Sequence, residues 1–357
     1  MKRLLSICFA LFLFAQVSWA EELHEYNALI EESRDAVVLV ATKNQVDGGG
    51  FGSGFLITDD GLVVTNYHVI HRSKEILIWF YDEDDPRHYP AKVIAIDPVS
   101  DIALLQMEVK PRLLPLEYLE IEGNKEEIRV GDAVIAIGHF LGLDWTVTRG
   151  HISHINRPNR ISPYISLIQH DAAINRGNSG GPLLNMDGDV VGVNTSAFLS
   201  RGEHLGTAYA LRGDILSDVV EELIEHGDVT RPVLGVKLQH LNDFSRKRLM
   251  LENPGQTFPN TFGLLAAEIL PDSWAYKQGL RTFDSIIAIN GIPVNGLKPL
   301  ANEIKGLSVG DVVNLIIIRD SVFMNITYEL KVLEFDYMSF YDERVAKEKK
   351  KVEGEGE

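Results

Sequence analysis

The sequence predicts a mainly β protein, and three observations indicate it. Short runs of β-branched and other apolar residues recur through the first half of the chain, and residues that favour turns separate them. One of these turns, Asp59-Asp60-Gly61, lies between two apolar runs and is typical of a β-hairpin. Helical periodicity is confined to a few segments, so a β-barrel or a β-sandwich is the expected architecture.

The predicted elements follow in chain order. Residues 21–34 are polar with scattered apolar side chains at helical spacing, and they are interpreted either as a docking helix or as an oligomer contact. Strand patterns come next, at 37–41, 54–58, 62–65, 76–80, 91–96, 102–107, 133–137, 190–195 and 206–211. A helix over 214–225 closes this region, because its apolar residues share one face and Gly227 follows it as a C-cap.

Composition limits the classes of function. A chain of 357 residues with 45% hydrophobic and 24% charged residues is long enough for two or three globular domains. Its net charge of -17 excludes a general nucleic-acid binder, which needs a basic surface to displace counterions from phosphates. No nucleic-acid partner is therefore expected. No histidine pair has carboxylate or cysteine neighbours at a convincing ligand spacing, so no metal or other cofactor is predicted.

Residues 1–20 are interpreted as a secretory signal peptide. Lys2 and Arg3 precede the apolar run 4–14, and the small residues up to Ala20 suit a signal peptidase. The run is short for a membrane span, so cleavage after Ala20 is predicted, with an uncleaved N-terminal membrane anchor as the alternative. Because the only cysteine, Cys8, lies in this segment, the mature chain would tolerate an oxidising compartment without disulfides, which favours a bacterial periplasm.

The segment 171–183, Asp-Ala-Ala-Ile-Asn-Arg-Gly-Asn-Ser-Gly-Gly-Pro-Leu, carries the candidate nucleophile, Ser179. A serine hydroxyl is a weak nucleophile at neutral pH, so it needs a general base and donors for the oxyanion that forms. His68 and Asp101 each adjoin an apolar strand pattern, and they supply the base and the group that orients it. The glycine at 177 allows a tight turn in which the amides of Gly177 and Ser179 form an oxyanion hole.

Four motifs, in one order, resemble the HtrA (Deg) family of trypsin-like serine proteases over about residues 33–333. They are Gly52-Ser53-Gly54-Phe55, Thr65-Asn66-Tyr67-His68-Val69, Ser100-Asp101-Ile102-Ala103-Leu104-Leu105 and the 171–183 segment. The resemblance implies a chymotrypsin-like pair of six-stranded β-barrels, with His68, Asp101 and Ser179 in the cleft between them. It also implies a homotrimer or larger homo-oligomer and unfolded or misfolded proteins as substrates.

One position departs from the family pattern. Arg176 stands where the family usually has proline, directly before the proposed oxyanion donor Gly177. Because proline fixes its own φ, we predict that this loop is easier to switch off than one with proline at that position.

The resemblance also locates a specificity pocket. In trypsin-like enzymes the residue that selects the substrate side chain lies six positions before the serine, here Ala173, and Ile174 adjoins it. Val193, Asn194 and Thr195 are predicted to contribute to the pocket and to pair with the substrate main chain as an added strand. An apolar pocket disfavours Lys and Arg, so cleavage after small or medium apolar residues is predicted.

The chain beyond residue 232 resembles an α+β PDZ domain, in the permuted form found in this family. The supporting segments are 234–236, 263–269, 271–275, 279–280 and 286–291, with a helix over 299–306 and a strand over 311–319. A PDZ domain binds a peptide C-terminus through loop amides, and Leu234, Gly235 and Val236 are the candidates for that loop. Phe283 stands where a glycine normally precedes Asp284, so an altered turn is predicted there. A PDZ-shaped spacer that binds nothing is the alternative.

The predicted organisation is a signal peptide (1–20), a protease domain (21–227), a linker (228–232), a PDZ domain (233–335) and a charged, disordered tail (336–357). The predicted function is that of a secreted, ATP-independent serine endopeptidase that acts on unfolded or misfolded proteins. A non-proteolytic chaperone or peptide sensor acting through the PDZ groove is the alternative. The complete set of His68, Asp101 and Ser179 favours the enzyme.

Overall fold

The fold is that of a computed structural model of the chain. The structure describes residues 24, 26–43, 49–80, 88–108, 128–140, 143–158, 165–195, 206–241, 243–254, 258, 263–269 and 273–332. The predicted signal peptide and charged tail lie outside these ranges. The chain divides into two compact units between Val229 and Thr230, within the segment predicted as the linker. Pro232, at the end of that segment, already begins a strand.

Within the described residues, the first unit contains two closed six-stranded barrels. The first barrel consists of β1 (Val37–Lys43), β2 (Gly50–Leu56), β3 (Leu62–Asn66), β4 (Glu75–Trp79), β5 (His88–Asp97) and β6 (Ile102–Met107). The second consists of β7 (Ala133–Phe140), β8 (Leu143–Pro158), β9 (Ser166–His170), β10 (Pro182–Leu184), β11 (Val190–Thr195) and β12 (Ala208–Arg212). Their orders are β1-β2-β3-β6-β5-β4 and β10-β11-β12-β9-β8-β7. The predicted mainly β fold with two barrels is therefore confirmed.

Local sequence accounts for how these strands pair. The turn predicted at Asp59-Asp60-Gly61 connects β2 and β3, which are antiparallel with Leu56 opposite Val63. Every residue of β3 is buried, and Ile102 to Leu105 of β6 are fully buried beside it. Burial of continuous apolar runs stabilises the barrel that carries the first half of the site.

Three helices of the first unit lie in the described ranges, namely α1 (26–34), α2 (Tyr67–Ile70) and α3 (Gly213–His226). The Arg149 guanidinium lies 5.2 Å from the ring centroid of Tyr26 in α1, and Leu29 of α1 lies beside Gly188. These contacts dock α1 on its own unit. No helix in the described part of either unit is long and apolar enough to cross a membrane.

Helix α3 agrees with the predicted amphipathic helix. Leu216, Val219 and Leu223 are buried, whereas Ile224, which had been placed on the same face, is 57% exposed. The helix ends at Gly227, whose φ is 74° and whose N–H donates to the carbonyl of Leu223. This left-handed C-cap is the conformation that glycine adopts without strain.

The second unit combines sheet and helix. Its strands are β13 (Pro232–Val233), β14 (Lys237–His240), β15 (Leu264–Glu268), β16 (Ser285–Ile289), β17 (Ile292–Pro293), β18 (Val312–Arg319), β19 (Val322–Glu329) and β20 (Lys331–Val332). Its helices are α4 (Asp243–Glu252), α5 (Trp274–Lys277) and α6 (Leu297–Lys305). The main sheet has the order β14-β15-β16-β18-β19, β17 pairs with β16, and β13 pairs with β20. Leu300 and Ile304 of α6 are buried in the core of this unit with Tyr328.

Two features of this unit differ from the prediction. Helix α4 was not predicted, because its polar sequence shows no apolar stripe. The altered turn expected at Phe283 is not observed, because this residue has φ of 74°, the left-handed conformation that favours glycine. The Phe283 ring packs edge-on against Phe258 at 5.1 Å between centroids, and the Phe283 N–H donates to the Ala266 carbonyl at 2.8 Å.

Candidate active site

His68 and Asp101 lie at the ends of neighbouring strands in the first barrel. His68 belongs to α2, directly after β3, and Asp101 directly precedes β6. The imidazole Nδ1 is 2.7 Å from Asp101 Oδ2, and the His68 main-chain N–H donates to Oδ1 at 2.9 Å. Because a carboxylate only accepts hydrogen bonds, Nδ1 carries the proton and Nε2 carries the lone pair of a general base.

The main chain of Asp101 has a strained conformation that its neighbours hold in place. Its φ is 61°, in the left-handed region, which costs a non-glycine residue about 1–3 kcal/mol. The Asp101 carbonyl accepts from the Tyr67 N–H at 3.0 Å and from Asn66 Nδ2 at 2.9 Å. In the preceding turn, the Asp97 carboxylate accepts from the N–H and the hydroxyl of Ser100. These bonds direct the Asp101 carboxylate at His68.

Thr195 adds a third group to this carboxylate. Its hydroxyl donates to Asp101 Oδ2 at 3.1 Å, and it lies at the end of β11 in the second barrel. The hydrogen bond joins the two barrels across 94 positions of sequence. We predicted Thr195 as part of the substrate pocket, and sequence reasoning missed its contact with Asp101 because no local pattern indicates it.

The surroundings of Tyr67, the residue before His68, shift the pKa of its phenol. Burial, followed by the negative charge of Asp101, raises the pKa of Tyr67 above its ordinary value of 10.0. Its phenol therefore stays neutral near pH 7, and it lies 3.2 Å from Nδ1 of His71.

Hydrogen bonds hold the segment of Ser179 against the strands that lead to His68. The Ser179 carbonyl accepts from the Ser53 N–H at 2.8 Å, and the Gly180 N–H donates to the Asn194 carbonyl at 2.9 Å. Gly180 has φ of 87°, and a Cβ there would lie 2.2 Å from the Ser53 carbonyl oxygen and 3.0 Å from the main-chain nitrogen of Asn66. Asn66 is two residues before His68. The structure thus brings the nucleophile segment against the element that presents the base.

A tight turn precedes Ser179. The Asn178 N–H donates to the Asn175 carbonyl at 3.1 Å, which closes a four-residue β-turn. Gly177, the third residue of the turn, has φ of 112°, and positive φ at this position is the mark of a type II turn. A Cβ on Gly177 would lie 2.0 Å from the carbonyl oxygen of His139, so only glycine fits. Arg176, the second residue, is exposed.

The predicted pocket residues have diverse surroundings. Ala173 is half-buried, and its carbonyl accepts from the Thr148 hydroxyl at 3.0 Å, whereas Ile174 is buried in the core of the second barrel. Val193 is fully buried. The Asn194 amide donates to the carbonyls of Gly181 at 3.2 Å and Pro182 at 2.8 Å. Asn194 therefore braces the chain that follows Ser179.

The main chain of β11 has partners on both sides. On one side, the Asn194 N–H donates to the Gly181 carbonyl and the Asn194 carbonyl accepts from Gly180. On the other side, Val193 and Thr195 pair with Leu211 and Tyr209 of β12. Because alternate residues of an antiparallel strand bond to opposite neighbours, the main chain of Asn194 is directed at residues 180 and 181, and that of Val193 at β12. Pairing of a substrate strand near residues 193–195 stays a prediction, and residues 196–200 lie outside the described part of the chain.

The candidate peptide-binding loop of the second unit is partly exposed. Leu234 is buried, Gly235 is exposed with φ of 64°, and Val236 packs against the core of the unit. The buried hydroxyl of Tyr328 donates to the Leu234 carbonyl. The loop leads into β14, which stands at one end of the strand order of the described sheet, where an added peptide strand could pair.

Comparisons with known proteins agree with both units. A model of the trypsin-like peptidase domain matches residues 52–193, and a model of the PDZ domain matches residues 232–330. A probable periplasmic serine endoprotease, DegP-like, from Pseudomonas putida is 37% identical over 292 residues, which cover 82% of this chain and 58% of that protein. The DegP-like relative from Pseudomonas fulva is 33% identical over 365 residues, covering 90% of this chain and 73% of that protein.

A solved structure shows the same arrangement of elements. The HtrA-type protease AlgW with a tripeptide has a TM-score of 0.69 and 28% identity, and the match covers 86% of this chain and 97% of that chain. The present chain spans little more than half of the length of the Pseudomonas putida relative, 58%. Taken with the two closed barrels and the bonded His68–Asp101 pair, these matches show that the chain belongs to the HtrA family of trypsin-like serine proteases.

Proposed function

We propose that the chain is a serine endopeptidase that works through an acyl-enzyme, with Ser179 as nucleophile, His68 as general base and Asp101 as the group that orients the imidazole. The observation that carries the proposal is the 2.7 Å contact between His68 Nδ1 and Asp101 Oδ2, beside the nucleophile segment. The side chains of His68 and Asp101 are only 10% and 6% exposed, so their interaction is weakly screened by water.

The geometry supports a defined order of proton transfers. His68 Nε2 takes the proton of the Ser179 hydroxyl as its oxygen attacks the substrate carbonyl, and the carboxylate of Asp101 stabilises the imidazolium. The amides of Gly177 and Ser179 donate to the oxyanion. The imidazolium then protonates the leaving amine. A water molecule, deprotonated by His68, hydrolyses the acyl-enzyme and restores Ser179.

The substrates we propose are unfolded or misfolded proteins of the bacterial periplasm, cleaved after small or medium apolar residues. The support is that curated relatives are named periplasmic serine endoproteases, and that residues 1–20 have the pattern of a signal peptide. An endopeptidase needs an extended main chain, which unfolded proteins present. We propose that Leu234, Gly235 and Val236 bind peptide C-termini, and that the chain assembles as a homotrimer or larger homo-oligomer.

The enzyme is tested with the mature chain, a fluorophosphonate probe and β-casein. The native protein should label at Ser179 and cleave casein, and mass spectrometry of the products should show Ala, Val or Ile before the cut. Ser179→Ala should abolish labelling, and Ser179→Ala or His68→Ala should each lower turnover on the order of 10⁶-fold. An unlabelled native chain that leaves casein intact, with or without apolar C-terminal peptides, would refute the proposal. Suppression of casein aggregation by that inactive chain would instead indicate a chaperone.

A further inference from the structure

We propose that Ser53 is a positioning residue for the oxyanion hole, because its hydroxyl and its amide hold the two residues that supply the oxyanion donors. This inference rests on the proposed protease function. Ser53 lies in β2 of the first barrel and is fully buried. The residue belongs to the Gly52-Ser53-Gly54-Phe55 motif, to which the mechanism above assigns no part.

The hydrogen bonds of Ser53 converge on the turn before Ser179. The Ser53 hydroxyl donates to the Gly177 carbonyl at 2.8 Å and accepts from the His139 N–H at 2.9 Å. The Ser53 N–H donates to the Ser179 carbonyl at 2.8 Å. Gly177 and Ser179 supply the proposed oxyanion donors, and the carbonyl of each accepts a hydrogen bond from Ser53.

These bonds restrain the part of the loop that is otherwise freest. The peptide between Gly177 and Asn178 is held at both ends, because its carbonyl accepts from Ser53 and its N–H donates to Asn175. Glycine has little intrinsic preference between conformations, and Arg176 does not fix its own φ as proline would. The Gly177 N–H belongs to the preceding peptide, which the bond between the Gly177 carbonyl and Ser53 anchors at its Gly177 end.

The site is built for a small hydroxyl side chain. The Ser53 carbonyl accepts from the Thr65 hydroxyl at 2.7 Å, which fixes the backbone of Ser53. A Cβ at Gly138 would lie 2.8 Å from Ser53 Oγ, and one at Gly181 would lie 3.2 Å from Ser53 Cβ. Alanine at position 53 would keep the amide bond to Ser179 and remove only the hydroxyl. It would also leave two buried main-chain groups, the Gly177 carbonyl and the His139 N–H, without that partner.

The experiment compares Ser53→Ala with Ser33→Ala in the full mature chain. Ser33 is a buried serine of α1, so this control removes the same atom from a similarly buried side chain. Steady-state kinetics give kcat and KM for an apolar peptide substrate, and the inhibition constants of a peptide aldehyde and of the matching cleavage product. Amide hydrogen exchange over residues 175–181 and thermal unfolding are measured as well. The aldehyde forms a tetrahedral adduct with Ser179, and the oxyanion of this adduct occupies the oxyanion hole. The product forms no adduct.

For Ser53→Ala we expect kcat to fall on the order of 10- to 100-fold with little change in KM, as for the loss of a buried hydroxyl that leaves main-chain groups without its hydrogen bonds. The aldehyde should bind more weakly by a similar factor, the product should bind as before, and exchange over 175–181 should accelerate. Ser33→Ala should leave kcat and this exchange unchanged.

Three results would overturn the role of Ser53 and leave the protease proposal standing. In the first, Ser53→Ala retains native kcat. In the second, kcat falls but the aldehyde and the product lose affinity equally. In the third, Ser33→Ala lowers kcat as much as Ser53→Ala does, which would indicate a general loss of structure. A native chain that neither labels at Ser179 nor cleaves peptides would refute the protease proposal, and the role of Ser53 would fall with it.

Discussion

Two buried carboxylates, one in each unit, have opposite chemical surroundings. Asp101 in the first unit is 4% exposed, and Asp284 in the second is fully buried. Asp284 accepts two hydrogen bonds from the Arg319 guanidinium, at 2.7 and 2.8 Å, and a third from the Arg281 N–H at 2.7 Å. Asp101 accepts from the imidazole of His68, the His68 N–H and the Thr195 hydroxyl.

The difference separates a structural carboxylate from a reactive one. Arg319 is a permanent cation, and its hydrogen bonds to Asp284 raise the pKa of the guanidinium further, so a positive charge lies beside Asp284 at any moderate pH. The side chains bonded to Asp101 carry no permanent positive charge. Its negative charge therefore remains available until His68 takes a proton, when it stabilises the imidazolium.

The turns beside these carboxylates share one strained feature and differ in its support. Asp101 and Phe283 are non-glycine residues with φ of 61° and 74°. Hydrogen bonds from Asn66 and Tyr67 hold the first, and the second donates its N–H to the Ala266 carbonyl at 2.8 Å. Only Phe283 adds an apolar ring contact, with Phe258, whereas the bonds at Asp101 aim a functional group.

The largest expected effect comes from Asp101→Asn. We expect kcat to fall about 10⁴-fold, because an amide no longer holds the imidazole tautomer or stabilises the imidazolium, while the midpoint of thermal unfolding changes little. Steady-state kinetics and calorimetry measure both. Asp284→Asn is the matched change in the other unit and should do the reverse, lowering stability with kcat unchanged. If Asp101→Asn kept an activity within tenfold of the native chain, the assignment of Asp101 as a reactive carboxylate and Asp284 as a structural one would be wrong.

Arg319→Met should destabilise the second unit by about 3 kcal/mol, because it leaves the Asp284 carboxylate buried without its cation. Hydrogen exchange of β18 and β19, followed by mass spectrometry in increasing urea, measures this unit by itself. The double variant Arg319→Met with Asp284→Leu should recover most of the loss, since no charge then stays buried. Equal loss in the single and double variants would show that packing of the Arg319 stem, and not the ion pair, stabilises the turn.

A smaller effect is expected at Phe283, where strain and packing oppose each other. Phe283→Ala loses the contact with Phe258 and keeps the unfavourable φ, whereas Phe283→Gly loses the contact but relieves about 1 kcal/mol of strain. Both variants should be less stable than the native chain, with the glycine variant more stable than the alanine variant by about that amount. The same exchange measurement reports the order. A glycine variant more stable than the native chain would mean that the Phe258 contact contributes less than the strain costs.

The smallest effect is expected at Tyr328, which holds the peptide loop. Burial raises the pKa of the Tyr328 phenol above its usual value, so the folded state keeps this proton when the unfolded state loses it. Its contribution to stability is complete below about pH 10, the pKa of an unfolded tyrosine, and declines as pH rises beyond it.

Tyr328→Phe removes this alkaline decline and the bond to the Leu234 carbonyl. We expect a loss of about 1 kcal/mol at pH 7 and a few-fold weaker affinity for an apolar C-terminal peptide, measured by urea unfolding across pH and by calorimetric titration. Steeper alkaline unfolding in the variant than in the native chain would contradict the assigned cause.

Much of the site was predictable because its chemistry needs particular residue types in local patterns. The strand before His68, the apolar run after Asp101 and the glycines around Ser179 each lie within a few positions of the group they present. The six strands of the first barrel, together with β7, β11, β12 and α3, were predicted because hydrophobic periodicity reflects burial directly. Helix α4 was missed for the same reason, since its sequence has no apolar stripe. Strands β8, β9 and β10 were not predicted.

By itself, the sequence determined the mainly β fold, the protease and PDZ resemblance and the identity of the three candidate catalytic residues. Only the tertiary structure decided which side chains support them: Ser53 reaches Gly177 across 124 positions, and Thr195 reaches Asp101 across 94. It also showed that Asn194, a predicted pocket residue, braces the nucleophile segment. Such contacts leave no period or spacing in the chain, because they form only when closed barrels bring remote strands together.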